Sequence, residues 1–422
     1  MKLEKFRKSV ATLVAALVVA GSAAPVMAEG GVTYTPVRGS ESVVFEKYLV
    51  MDENANVPNE TFNFTITPGA AQAATATSSK VYAGNDGNVV AGTPTIGTAT
   101  FTTEDATYTT AQDLPSSVNV QKMNGTNVIK DDVTLTEGQK YARKDVVINF
   151  GSVSFKEPGV YRYLVNETAG TEKGITYDNT QRVLDVYVED NSATTPNTLR
   201  VAGYVLHKNA ADAVVPKDGS MPTGKASGFT NSYSTHDLTI SKAVTGNQAS
   251  RDEYFEFTLN ITGAVAGTKY TVDLENAEVT TKKNAINTTA HTNPALLTAN
   301  ESGEVTQTFW LQGGQSIVVR GLANNTAYTV GENKTTMGDE GYTTTAAITG
   351  DTKTGDNQDI ALNTDLQVVD TAITADTTVA FTNAKNGTIP TGILNSLVPG
   401  ALTLVGAASA IVVMAKNRKE EK

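Results

Sequence analysis

Six polar residues stand where strand alternation asks for apolar ones. Residues two apart in an extended chain share one face. On that period Lys47 shares a face with Val43, Phe45 and Leu49, and Lys242 with Leu238, Ile240 and Val244. Glu167 follows Tyr163 and Val165, and Glu332 follows Tyr328 and Val330. Asn231 comes two residues after Phe229, and Asn383 two after Phe381 and four after Val379. One ionisable residue on such a face is ordinarily at a strand edge, its charged end carried out to water. A lysine, a glutamate and an asparagine in the same order, twice, point to two buried clusters.

Such a cluster has a chemistry. Burial disfavours charge, so the lysine tends to lose its proton and the glutamic acid to keep its own. A neutral amine is a nucleophile, and a neutral carboxyl can hydrogen-bond to and polarise the asparagine carbonyl. Attack on that carbonyl with loss of ammonia gives a Lys-Asn amide, and the fold supplies the effective molarity the reaction needs. The other reading is a pair of hydrogen-bonded structural trios. The rarity of buried charge weighs against it.

The elements that must position these residues repeat as well. Phe229-Thr230-Asn231 and Phe381-Thr382-Asn383 are one triplet used twice, and upstream of each lies a Tyr-x-Val-x-Glu segment, Tyr163 to Glu167 and Tyr328 to Glu332. Further upstream stands the strand that carries Lys47 or Lys242. Two copies of one β-sandwich plan follow, with a boundary near Ser234 to His236. The middle of the chain shows no helical period, and its many threonines, valines and asparagines suit antiparallel strands and turns. Gly313-Gly314 and Gly350-Asp351 read as turns.

Composition excludes several classes. A net charge of -11 over 422 residues argues against nucleic acid as a partner. Cysteine is absent, so a secreted form does without disulfides or uses another kind of staple. His207, His236 and His291 are scattered without metal-ligand spacing, and there is no P-loop, nucleophile elbow or Cys nucleophile. No metal, no cofactor and no catalysis on outside substrates is expected.

Both ends carry targeting signals. Lys2, Lys5, Arg7 and Lys8, an apolar run from Val10 to Val19 and then Val26-Met27-Ala28 make a secretory signal peptide cleaved after Ala28. At the other end, Ile393 to Ala415 is apolar and long enough to cross a bilayer, and Lys416, Arg418 and Lys419 hold the tail on the cytoplasmic side. Immediately before it stands Thr388-Ile389-Pro390-Thr391-Gly392. This arrangement resembles a sortase cell-wall sorting signal, with Ile-Pro in place of the commoner Leu-Pro. In that family a membrane transpeptidase cuts between Thr and Gly, here Thr391 and Gly392, and passes the Thr carbonyl to an amine.

The segment Val153-Ser154-Phe155-Lys156-Glu157-Pro158-Gly159-Val160-Tyr161-Arg162-Tyr163, then Gly174-Ile175-Thr176-Tyr177-Asp178, is similar to the backbone pilins of streptococci, the T-antigen type. The two Phe-Thr-Asn strands and the sorting signal fit that family, and the resemblance covers most of the mature chain. It implies an all-β protein of two tandem immunoglobulin-like (CnaB-type) domains. Each would carry an isopeptide bond between its first and last strands: Lys47 to Asn231 with Glu167, and Lys242 to Asn383 with Glu332. It also implies polymerisation from Thr391 to a lysine near the end of the next subunit's first domain. Lys225 is the nearest positional match and Lys217 the alternative. The implied partners are pilus and housekeeping sortases, identical subunits, minor pilins and peptidoglycan; no host ligand is legible.

The expected layout is a signal peptide over 1–28, a first domain over 29–234, a second over 235–386 and the sorting signal over 387–422. The Thr/Ala/Gly-rich stretch from Ala70 to about Arg143 is longer than the family needs, and adds loops or strands to the first domain. Two functions fit this layout: a polymerising pilus shaft, or a monomeric wall-anchored stalk or adhesin.

Overall fold

The computed structural model describes residues 42–388 except 110–119, 124–125, 130–132, 191–198, 221, 223, 277–290, 334–340, 352–357 and 361–366. The signal peptide, Pro390, Thr391, Gly392 and the apolar stretch after them lie outside the described residues. Among those described, every regular element is a strand, so the protein is all-β as its composition suggests. The longer strands of the first half are β1 (Ser42–Asp52), β2 (Glu60–Pro68), β3 (Gln139–Asn149), β4 (Gly159–Thr168), β5 (Arg182–Asp190), β6 (Leu199–His207) and β7 (Gly228–Tyr233). Those of the second half are β8 (Thr235–Thr245), β9 (Phe255–Thr262), β10 (Lys269–Glu275), β11 (Val305–Leu311), β12 (Ser316–Ala323), β13 (Ala327–Glu332), β14 (Thr343–Thr349), β15 (Gln367–Asp370) and β16 (Thr377–Ala384).

In the first half one sheet runs β7, β1, β3, and a second runs β6, β5, β4, β2. In the second half one sheet runs β10, β12, β8, β16, β14, and a second runs β11, β9, β13, β15. Each half has its own apolar core. The first holds Phe45, Leu49, Phe64, Tyr163, Leu184 and Phe229; the second holds Ile240, Phe257, Leu259, Val330 and Phe381. The pattern that places these residues is alternation: along β16 every second residue from Thr377 to Asn383 is buried.

β1 departs from simple alternation, because Glu46, Tyr48 and Val50 on its other face are buried too. Tyr48 and Val50 pack with Val133, Leu135 and Tyr141. The cover thus comes partly from the long stretch after Ala70, which also adds Thr95–Ile96 to one sheet and Ala99–Phe101 to the other. That stretch ends sooner than its composition suggests. β3 begins at Gln139 and pairs along the whole of β1, from Asp52 with Gln139 to Ser42 with Asn149.

Only Ser234 separates β7 from β8, and it is fixed on both sides. Its N–H donates to Gly174 O at 2.8 Å, and its carbonyl accepts from Asn324 N at 2.9 Å. Next to it, Thr235 Oγ1 donates to Asp52 Oδ2 at 3.0 Å, and Asn56 Nδ2 donates to Lys269 O at 2.9 Å.

Candidate functional site

The first and last long strands of each half lie side by side and parallel. Lys47 of β1 is opposite Phe229 of β7, and Leu49 is opposite Asn231. Lys242 of β8 is opposite Phe381 of β16, and Val244 is opposite Asn383. In both pairs the asparagine lies two positions beyond the lysine's opposite number, so both side chains enter the same core from one sheet. The glutamate comes from the facing sheet. Glu167 of β4 is opposite Phe64 of β2, and Glu332 of β13 is opposite Phe257 of β9.

The three side chains of each set meet. Lys47 Nζ donates to Glu167 Oε2 at 2.6 Å, and Asn231 Nδ2 donates to Glu167 Oε1 at 2.5 Å. Lys242 Nζ and Asn383 Nδ2 each donate to Glu332 Oε1, both at 2.7 Å. The lysine and glutamate side chains of both pairs are 0% exposed. Each amine also stands over a ring: Lys47 Nζ lies 4.7 Å from the centroid of Phe62, and Lys242 Nζ 4.3 Å from that of Phe255.

Burial sets the electrostatics. It lowers the Lys47 amine to about 8, with the charge of Glu167 opposing, and it lowers Lys242 to about 8 with Glu332 opposing. Burial also raises both carboxyls, with the lysines and asparagines opposing. These directions favour a neutral amine and a protonated acid, the pair that amide formation requires.

The geometry alters one detail of the chemistry expected from the sequence. Each carboxyl touches the asparagine's nitrogen, and another group holds the carbonyl oxygen. In the first half the backbone N–H of Asp178 donates to Asn231 Oδ1 at 2.8 Å. In the second the Thr344 hydroxyl donates to Asn383 Oδ1 at 2.8 Å. The carboxyl is therefore placed to give a proton to the leaving nitrogen, which departs as ammonia. The second donor sits where negative charge gathers on oxygen during attack, the role of an oxyanion-hole group.

Several contributors escaped the sequence reading. Phe62-Asn63-Phe64 and Phe255-Glu256-Phe257 are a second repeated motif, one ring covering the amine and the other lying across from the glutamate. Thr344 carries no sequence signal, and Asp178 stands in the quoted Gly174 to Asp178 motif without any sign of its contact with Asn231, since both contacts join distant segments. Gly228 marks close packing of β7 on β1: a Cβ there would lie 1.6 Å from Glu46 O.

The candidate acceptor lysines sit away from the trios. Lys217 is exposed on a covering loop, its N–H bonded to Thr77 O at 2.9 Å. Lys225 is half-buried, opposite His207 at the free edge of β6, and burial lowers its amine. The histidines are dispersed: His207 bonds Asp185, His236 bonds Asn324, and His291 stacks on Trp310 at 3.9 Å. No group of metal-ligating side chains occurs among the described residues.

Residues 43–234 match the family model of the Spy0128-like isopeptide containing domain. Residues 236–385 match a domain of unknown function, DUF7601. The chain is 26% identical over 386 residues to a pilin of Streptococcus pyogenes serotype M1, covering 91% of this chain and 92% of that protein. Among solved structures it is similar to the major pilin of Streptococcus pyogenes, at 23% identity and a TM-score of 0.48, covering 83% of this chain and 100% of that one. The major pilin protein T3.2 of the same species matches at 18% identity and a TM-score of 0.48, covering 83% and 99%.

Proposed function

We propose that this chain, a homologue of a streptococcal pilin, is the structural backbone subunit of a covalently joined cell-surface pilus. The observation that carries the reading is the likeness to that pilin, which runs through both halves over 91% of the chain. The two buried trios give the reading a mechanism.

In each trio the neutral lysine amine attacks Cγ of the asparagine. A C–N bond forms, the C–Nδ2 bond breaks, the glutamate takes a proton from the attacking nitrogen and gives one to the leaving nitrogen, and ammonia departs. The donor on Oδ1, Asp178 N–H or Thr344 Oγ1–H, stabilises the tetrahedral stage. The product ties the first and last strands of each half, doing for this cysteine-free chain what disulfides do elsewhere.

Export through the signal peptide then delivers a folded subunit to a pilus sortase. The enzyme recognises the segment that holds Pro390, cleaves between Thr391 and Gly392, and joins Thr391 to Lys225 of an identical subunit. A housekeeping sortase transfers the finished polymer to peptidoglycan, and minor pilins complete it. An immunoblot of cell-wall extract tests this. A ladder of covalent multimers that vanishes in a Thr391→Ala strain supports a shaft; a single band in wild type contradicts it and marks a monomeric stalk.

A further inference from the structure

Beside Lys225 lies a buried polar chain that the two trios do not use. β6 is the edge of its sheet, and residues 224–226 run along that edge as a short added strand. Lys208 N–H donates to Gly224 O at 2.8 Å, and Ala226 N–H donates to Leu206 O at 2.7 Å. These bonds flank the pair His207 and Lys225, making it a non-hydrogen-bonded pair, the kind whose side chains leave the same face and approach most closely. Gly224 fixes this approach: its φ is +63°, and a Cβ would lie 2.2 Å from Asp212 Cγ.

His207 is fully buried and firmly held. Its Nε2 lies 3.1 Å from Asp185 Oδ2, and Asp185 is clasped by Arg162 Nε at 2.7 Å and Nη2 at 2.8 Å. Arg162 is anchored in turn on Ala213 O at 2.8 Å. Burial pushes the Asp185 carboxyl up, but the bonds from Arg162 and His207 outweigh it and hold it below the usual range. A carboxylate only accepts, so Nε2 carries a hydrogen, and in the neutral tautomer the lone pair lies on Nδ1. Nδ1 is buried without a hydrogen-bond partner among the described residues.

We propose that His207 Nδ1 is the proton acceptor for the Lys225 amine when that amine is acylated. The inference rests on the reading of Lys225 as the acceptor of the next subunit's Thr391. The ammonium first loses one proton to solvent, helped by its half-buried setting. The neutral nitrogen then attacks the Thr391 carbonyl of the sortase thioester, the N–C bond forms, and the C–S bond breaks with its electron pair leaving on sulfur. The remaining surplus proton passes from nitrogen to His207 Nδ1, and Asp185 stabilises the imidazolium. Lys217, exposed on its loop, has no such register partner. The charged groups around His207 are Asp185 of β5, which it bonds, Arg162 of β4, which holds Asp185, and Lys225 opposite it in register, with Tyr187 of β5 beside Asp185 and Asp212 beside Gly224.

The test uses the whole mature chain, the pilus sortase of its own organism and a peptide bearing Thr-Ile-Pro-Thr-Gly, with joining at Lys225 followed by peptide mass across pH. His207→Gln keeps an amide N–H for Asp185 but cannot take up a proton. It should slow joining about 100-fold near neutrality, with the rate climbing toward wild type as pH rises. Asp185→Asn should produce the same change in smaller degree, and serves if the glutamine variant does not fold. Acetylation of Lys225 relative to Lys217 by an activated ester, without sortase, should fall in both variants. A folded His207→Gln protein with unchanged rate and unchanged pH profile at Lys225 overturns the proposal and leaves the acceptor reading standing. A Lys225→Arg protein joined as fast as wild type overturns the acceptor reading and the proposal with it.

Discussion

The two trios share some features and differ in others, and the division shows what the chemistry needs. Both place lysine and asparagine on parallel neighbours with the same offset, both bring the glutamate from the facing sheet opposite a phenylalanine, and both cover the amine with a ring. The surroundings differ. Glu167 uses one oxygen for each partner, whereas Glu332 puts both on Oε1 and leaves Oε2 without a partner among the described residues. The first trio has an ion pair beside it, Asp178 and Arg182 at 2.7 Å with Arg182 reaching Gly228 O at 3.1 Å, where the second has the buried Glu253. In the second, the oxygen donor is a threonine hydroxyl instead of a backbone N–H. Register and burial are therefore the common requirement, and the oxyanion donor can be supplied in more than one way.

The largest expected effect comes from removing a bond. Each proposed bond would close a long loop, and by the chain-entropy relation for cross-links of that length each would contribute about 5 kcal/mol. Glu167→Ala and Glu332→Ala should each lower Tm and speed proteolysis, to a similar extent because the relation varies only with the logarithm of loop length. Thermal melting that is unchanged in Lys47→Ala would remove the first bond from the scheme.

Under load the two bonds should part company. A shaft pulled through Lys225 and Thr391 carries force along Asn231, Ser234 and Lys242, across to Asn383 and out. The second bond bypasses nearly all of its half, and the first lies off the line. Single-molecule pulling between those points should show no long unfolding step in wild type, a long one in Glu332→Ala and little added length in Glu167→Ala. Equal lengthening in both variants means that load enters nearer the N-terminus and that Lys225 is the wrong acceptor.

A smaller effect separates the oxygen donors. Thr344→Val should slow formation of the second bond about 100-fold, as removal of one oxyanion donor does elsewhere, and leave the first untouched. Mass measured through refolding checks this. Equal rates at both sites would assign Thr344 a packing role only.

The smallest effect is a pH dependence. Glu332→Gln leaves Lys242 without its isopeptide bond and without the charge of Glu332, the larger of the two carboxylates that oppose burial, the other being Glu253, so burial holds its folded value well below the 10.5 of the unfolded chain. Between those values the unfolded state binds more protons, and stability rises with pH. Denaturant titrations of Glu332→Gln should thus give a higher stability at pH 10 than at pH 8. Glu167→Gln should behave alike, with two further charges of opposite sign, Asp178 and Arg182, acting on Lys47 where Glu253 alone acts on Lys242. A stability that falls over that interval contradicts the burial account.

Alternation alone was enough to read the strands and the inward faces of Lys47, Lys242, Asn231 and Asn383, because period two is a property of the chain itself. The glutamates were legible for the same reason, each ending a Tyr-x-Val run. What alternation cannot give is partnership across the core. The phenylalanine rings over the amines, the Asp178 and Thr344 donors, and the contact of each carboxyl with the asparagine nitrogen depend on which sheet faces which. The repeated Phe-x-Phe could have been found by the search that found Phe-Thr-Asn. The cover on β1 is not legible from alternation, since Tyr48 and Val50, on the face opposite Lys47, are buried by a segment distant in sequence. The sequence gives His207 no metal-ligand spacing and no other role, and its place opposite Lys225 follows only from strand pairing.

The intact mass of the secreted, mature protein tests the central claim most directly. Two Lys-Asn amides predict a mass two ammonia equivalents below that of the sequence, with Glu167→Ala and Glu332→Ala each restoring one. A mass equal to that of the unmodified sequence contradicts the account at both sites.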